Sequence, residues 1–335
     1  MPQNKVEKGF ELLDQCVTLM QGSLNSTFID SYIEVAGNLV NNYQVQVQDG
    51  LPNAETATKL TELYTEFKNL DLAKEERRKV TQLVLLKGTM AEPLQPNHQL
   101  TPDSLGFLFV YLAEQLLGDD KRLTLLDLTA GMGNLMMTVM TNLELAGYKV
   151  WGTGVDVDDT LLTITALNSQ ILEQEIQLFH QDSLQNLLLE PSDFAIADLP
   201  IGYYPDDENA QNFVTGVAEG HSYAHHLLME QSMAYVKGGG FGVFLVPSNF
   251  LETEQADKIK EWITDKVYLQ GILQLPTALF KNKDSRKSII IIQNHGEESR
   301  QAKEVLLADV PSLKDAQQMQ QFFKEVSEWK NKNLN

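Results

Sequence analysis

Apolar side chains recur every three to four positions through residues 1–92. In "VEKGFELLDQCVTLM", Val6, Phe10, Leu13, Val17 and Met20 fall on one helical face. "TFIDSYIEVAGNLV", "ATKLTELYTEFKNL" and "KEERRKVTQLVLLK" repeat that period, and "DGLP" (Asp49 to Pro52) interrupts it. Pro93 and Pro96 then mark a linker. From about Leu100 the texture changes. Short apolar runs at 123–128, 149–157, 176–182, 194–198, 240–247, 268–276 and 287–293 are separated by helical segments. Continuous apolar strands between helices predict an α/β fold with a mostly parallel sheet covered on both faces. The expected organisation is a helical region over 1–95 followed by a seven-stranded α/β domain over 96–335.

Composition changes this picture little. Hydrophobic residues make up 43% and charged residues 21% of 335, ordinary values for a globular chain of about two domains. Cys16 is the single cysteine, so no internal disulfide forms. The first residues lack the apolar stretch of a secretory signal, and no apolar run reaches the roughly 18 residues of a membrane span. A cytoplasmic location without membrane contact is expected. The charge is more telling. The chain carries −20, of which −4 lies in residues 1–95 and −16 in the remainder. Such acidity repels polyanions, whereas a protein that grips duplex DNA alone presents a basic face. The one dense basic cluster, Lys281, Lys283, Arg286 and Lys287 in "FKNKDSRKS", is explained equally by a solvated loop.

Ligands of open α/β sheets bind beyond the C-terminal strand ends. In "LLDLTAGMGNLMM", Asp127 ends the first apolar run, and Gly131 and Gly133 form the turn into a helix. A dinucleotide site prefers a third glycine, where this chain has Met136, and an acid beside the turn suits pyrophosphate poorly. The same acid suits S-adenosylmethionine (SAM), which offers an ammonium, a ribose diol and an adenine amino group as donors. Asp156 follows Gly133 by 23 residues, a spacing at which a βαβ unit brings an acid to a ribose diol. Asp182 and Asp198 end the next two runs, with Asp182 suited to an adenine amino group.

These motifs, in this order, resemble those of class I SAM-dependent methyltransferases, and in particular the N6-adenine DNA methylases, including the modification subunits of type I restriction systems. The likeness spans about Gln99 to Asn294. "LTPDSLGFLFVYLAEQLL" resembles the family's opening threonine-proline motif, and "DLTAGMGNL" its cofactor loop. "SNFL", "LQLPTALF" and "KSIIII" resemble its later segments. The resemblance implies a Rossmann-like methyltransferase sheet of seven strands with a separate N-terminal helical domain. It assigns Thr101, Asp127, Gly131, Gly133, Asp156 and Asp182 to SAM. Thr129, Ala130, Met132, Asn134, Val157 and Ser183, from the same segments, and Asp198 complete the expected cofactor set. Locally, Thr101 is expected to cap a helix that has Pro102 as its first residue.

The family's fourth strand ends in Asn or Asp, two prolines and an aromatic residue. The first side chain and the next carbonyl accept hydrogen bonds from the target amino group, and the ring stacks on the base. Here the motif reads Asp198, Leu199, Pro200, Ile201. Leu199 still offers its carbonyl. Ile201 gives no π-stacking, and Tyr203 or Tyr204 is available to replace the ring, unless both pack beneath the loop. The expected catalytic set is Asp198, Leu199, Pro200, Ile201 and Tyr203. Three functions follow: an N-methyltransferase acting on adenine N6 in DNA; the same enzyme acting on RNA, protein or a small amine; or a SAM-binding scaffold without turnover. The 25 residues after Val310 are too few for a target-recognition domain. A separate specificity subunit or a homodimer is therefore expected.

Other features have plain readings. His221 and His225 lie four apart on an expected helix, but no third metal ligand is evident. Met136 and Met137 read as core, "VKGGGFG" as a turn into a strand, and "DAQQMQQFFKEVSEWK" as an amphipathic helix.

Overall fold

The computed structural model describes residues 4–95, 98–118, 120–280 and 285–334. Pro96 of the expected linker and Lys281 and Lys283 of the basic cluster lie outside them.

Four helices open the chain: α1 (Lys5–Leu24), α2 (Phe28–Val40), α3 (Ala54–Asn69) and α4 (Lys74–Ala91). Their starts follow from local chemistry. Asn4, Thr27 and Asn53 side chains accept from the first-turn N–H groups of α1, α2 and α3. At α4, Ala73 has no side chain that could do this, and its own N–H instead donates to Glu76 at 2.9 Å. Helix α1 packs against the other three. Leu13, Val17, Tyr32, Leu60, Tyr64, Val80 and Val84 form the core between them. Gly88 lets Phe28 lie against the α4 backbone: a Cβ there would stand 2.0 Å from the ring.

That core does not stop at the linker. Met132, Leu161, Ile164 and Ile171 from the α/β region pack into it. The Tyr32 hydroxyl donates to the buried Asn168 side chain at 2.7 Å. Arg78, on α4 and 2% exposed, pairs with Glu75 and crosses to Asp103. It also donates to Thr138.

The second region contains α5 (Asp103–Leu116), β1 (Arg122–Asp127), α6 (Asn134–Leu145), β2 (Lys149–Asp156), α7 (Asp159–Ile171), β3 (Ile176–His180), β4 (Ser192–Asp198), a single turn α8 (Asp207–Ala210) and α9 (Ala224–Ala234). It continues through β5 (Val236–Pro247), α10 (Ala256–Lys266), β6 (Val267–Gln274), β7 (Lys287–Asn294), β8 (Leu306–Asp309) and α11 (Ala316–Asn333). The sheet order is β3-β2-β1-β4-β5-β7-β6-β8, with β7 antiparallel to both neighbours. Alternation explains the two covered faces. Leu125, Phe194, Ile196, Val243, Leu245, Ile289 and Ile291 pack with α5, α6 and α11. Leu126, Ala195, Ala197, Phe244, Val246, Ile290 and Ile292 pack with α9 and α10. Winding reverses between β1 and β4, which places Asp127 and Asp198 beside one crevice.

Several expectations are corrected. Among the described residues the sheet has eight strands, not seven. Strand β8 has four residues, too few for a periodic signal, and pairs in parallel with β6. Thr101 does not cap α5: the helix starts at Asp103, Pro102 rather than Thr101 holds the cap position, and the Thr101 side chain turns to Asp198. The glycines of "VKGGGFG" lie inside β5, where the register with β4 shifts between Ser192 and Phe194. His221 precedes α9, while His225 is buried in it. Met136 and Met137 are buried. Helix α11 buries Met319, Phe322 and Val326, and Phe323 sits 4.1 Å from the Tyr111 ring of α5.

Candidate active site at the β1 and β4 strand ends

The loop between β1 and α6 is built on two left-handed glycines, Gly131 (φ 51°) and Gly133 (φ 75°). Three neighbours fasten it. Asp156, at the tip of β2, accepts from the Gly131 N–H at 2.7 Å and from the Asp158 N–H at 2.9 Å. Thr165 of α7 donates to the Gly131 carbonyl at 2.7 Å, and the Ala130 N–H donates to Val155. A cavity of about 680 Å³ opens in front of this loop. Its floor is Asp127, Thr129, Ala130, Gly131, Met132 and Asn134. Residues 98–102 and Leu105 form one wall, and Asp198, Leu199, Pro200 and Ile201 another. Leu279, Phe280, Ser285 and Lys287 close the remaining side.

Asp127 is 2% exposed. Its Oδ1 accepts from the Thr129 N–H at 2.9 Å and the Thr129 hydroxyl at 3.1 Å. Burial pushes its carboxyl up to about 7, and the charges of Asp156 and Asp198 push the same way, against the Thr129 hydrogen bonds. A buried acid under this strain is a ready partner for a cation. Asp198 holds two partners at the end of β4: Thr101 donates to Oδ2 at 2.9 Å, and the Lys287 ammonium pairs with Oδ1. Lys287 also donates to the Leu199 carbonyl at 3.4 Å. The Thr101 carbonyl accepts from Asn134, tying this wall to the glycine loop.

The structure thus gathers Thr101, Asp127, Thr129, Ala130, Gly131, Met132, Asn134, Asp198, Leu199, Pro200 and Ile201 around one cavity. Gly133, Asp156, Val157, Asp182, Ser183 and Tyr203 do not line it. Gly133 shapes the loop from behind, and Asp156 braces it. Val157 is exposed. Asp182 accepts from the Tyr204 hydroxyl at 2.6 Å and the Leu184 N–H, and Ser183 donates to the Leu128 carbonyl. Tyr204 is therefore the tyrosine that packs inward. Tyr203 stays half exposed and stacks on Tyr223, with centroids 4.9 Å apart.

Sequence reasoning placed Lys287 in a basic loop and missed its role in this site. The available signal was topological. An antiparallel strand begins at the edge where its parallel neighbours end, so the first residue of β7 reaches the same crevice as the last residue of β4. Behind this cation, the His225 imidazole is held well below its usual range, to about 3, by burial, by His226 and by the Lys287 charge.

The residues present fit SAM. A buried carboxylate, a glycine loop with open space over Gly131 and a second carboxylate face one cavity, and among the described residues nothing donates to Asp127 Oδ2. Comparison with known proteins agrees. Residues 98–331 match the family model for N-6 DNA methylases, and residues 7–89 match that for the YtxK N-terminal helical domain. The chain is 36% identical over 331 residues to the uncharacterized protein YtxK of Bacillus subtilis (strain 168), covering 98% of each. It is 38% identical to a crystal structure from Listeria monocytogenes designated a class I SAM-dependent methyltransferase. That match covers 97% of this chain and 98% of the other, with a TM-score of 0.89. A type I restriction-modification methyltransferase subunit from Streptococcus thermophilus shares the fold at 13% identity. Its TM-score is 0.68, over 96% of this chain and 74% of that one. Loop, cavity and sequence matches agree that the chain belongs to the N-6 DNA methylase family and is a class I methyltransferase with SAM as its cofactor.

Proposed function

We propose that the chain methylates an exocyclic amino nitrogen, with adenine N6 in DNA as the first substrate class. The observation that carries this reading is the pairing of the Asp198 carboxylate with the Leu199 carbonyl at the mouth of the cavity, where both now hold an amine. SAM supplies an activated methyl group on a positively charged sulfur. The chain's own residues do the rest. Asp127 offers a carboxylate for a cation, and Asp198 and Leu199 orient the acceptor nitrogen, whose lone pair is otherwise delocalised into the ring. Thr101 fixes Asp198 by its second oxygen, and Pro200 stiffens the turn that presents both acceptors. Gly131, Thr129, Asn134 and the surrounding loop shape the cofactor seat. Tyr203, two residues beyond Ile201 and outside the cavity lining, would have to turn from Tyr223 to offer the ring that Ile201 lacks; both are half exposed.

The −20 net charge argues that a partner, a specificity subunit or a second copy, brings the nucleic acid. The domain division at 95/96 and a cytoplasmic location belong to the same proposal. A second reading, SAM retention without turnover, draws on Ile201 and on the occupied acceptor pair. The experiment is transfer from methyl-labelled SAM to total DNA, RNA and protein fractions, with digestion of labelled DNA to nucleosides. Label in N6-methyladenine supports the DNA reading. Label confined to RNA or protein shifts the acceptor, and SAM binding with no labelled fraction favours the scaffold.

A further inference from the structure

The acceptor pair already has an occupant. Lys287 Nζ meets both Asp198 Oδ1 and the Leu199 carbonyl, the two atoms that the proposed function assigns to the target amino group. The two side chains are 20% and 26% exposed, so the ion pair is partly shielded from water. The neighbouring groups hold it there. Thr101 pins the other oxygen of Asp198. His225, buried behind Lys287, has no hydrogen-bond partner of its own among the described residues. Arg286, the next residue, is turned to the Leu275 carbonyl and does not compete for Asp198. A nitrogen approaching the same two oxygens meets the ammonium there first.

We propose that Lys287 is an internal occupant of the amine position, which keeps Asp198 and Leu199 closed to an external amine until a substrate displaces it. The inference rests on the methyltransferase reading. It adds a residue that sets which acceptors are used: only one able to displace an ammonium from a carboxylate gains the pair. A carboxylate at this position needs such a guard. Left bare beside a cavity built for a cation, it would attract any ammonium in solution.

The test needs no knowledge of the acceptor. Sinefungin is a cofactor analogue in which an amine-bearing carbon replaces the methylated sulfur, so its amine points where the methyl group would leave. S-adenosylhomocysteine lacks any group there. Calorimetry on the full chain compares both ligands with wild type, Lys287→Met and the Lys287→Met/Asp198→Ala double variant. In wild type the sinefungin amine meets a like charge already paired with both acceptors. In Lys287→Met it gains Asp198 and Leu199. The sinefungin-to-S-adenosylhomocysteine affinity ratio is expected to rise about tenfold in Lys287→Met and to return toward wild type in the double variant. An unchanged ratio, with S-adenosylhomocysteine still bound, overturns the inference alone. If wild type binds neither ligand, the methyltransferase reading falls and the inference with it. A second measurement needs no variant to fold. Under limiting acetic anhydride, Lys287 of wild type should acetylate at least about tenfold more slowly than the exposed Lys324. Equal rates would show a free ammonium and refute the occupied site.

Discussion

At the scale of single residues, two carboxylates in one cavity have different environments, and the proposed function gives them different tasks. Asp198, held by Thr101 and Lys287, is the carboxylate that the proposal gives to the methyl acceptor. Asp198→Ala is expected to leave SAM binding measurable while transfer falls at least about a hundredfold, read as label incorporated per hour. Loss of SAM binding by that variant would move Asp198 into the cofactor seat. Asp127 lies beneath the glycine loop with its carboxyl raised from 3.8 to about 7. The charges facing it are Asp156 on β2 and Asp198 on β4. Because the folded value lies above the unfolded one, the stability contributed by the protonated form is complete below pH 4 and gone once pH has risen through about 7. The melting temperature without ligand should therefore fall between about pH 4 and 7. Affinity for SAM should rise over the same window as the carboxylate ionises, and Asp127→Asn should flatten both profiles. Asp127 and Asp198 were legible in the sequence because each ends an apolar run. Lys287 was not, because its meaning depends on the reversed direction of one strand.

At the scale of elements, glycines at the β1–α6 turn decide whether the cavity forms. Gly133 has φ 75°, and a Cβ there would stand 2.7 Å from the Thr165 methyl and 3.0 Å from the Met137 methyl. Thr165 also donates to the Gly131 carbonyl, so displacing it loosens the loop it should hold. Gly133→Ala is expected to cost about 1–3 kcal/mol by denaturant unfolding and to weaken SAM binding by more than about tenfold. Gly131→Ala meets nothing nearer than the Thr129 carbonyl at 4.0 Å and should cost less, though its φ of 51° also disfavours a side chain. The N-terminal helices were readable from their apolar period, and seven of the strands from their apolar runs. Strand β8 escaped because four residues carry no period, and the β5 glycines read as a turn because a bulge and a turn use the same residue type. The Thr101 cap failed because Pro102, not Thr101, holds the position before α5, and the Thr101 side chain is turned to Asp198.

At the scale of the molecule, the helical region shares its core with the lining of the candidate cavity. Met132 and Leu161 line the cavity and are buried in the core shared with α1 to α4. The two regions therefore cannot separate without altering the loop that Met132 belongs to. Arg78 is the strongest polar tie. It is 2% exposed and bonds to Glu75 and Gln82 on its own helix, to Asp103 at the start of α5, and to Thr138 on α6. Removing such a cation leaves partly buried carboxylates without their partner, a loss of about 3–5 kcal/mol. Arg78→Ala should lower the melting temperature in one transition that includes both regions. It should also weaken SAM binding at temperatures where the fold persists, although Arg78 does not line the cavity. Scanning calorimetry with and without S-adenosylhomocysteine decides the matter. Two separate transitions, with the ligand raising only the one that Arg78→Ala leaves unmoved, would show that the helical region is a passenger. A single transition that shifts with both the mutation and the ligand would show that the cofactor seat extends through Met132 and Leu161 into the helical core.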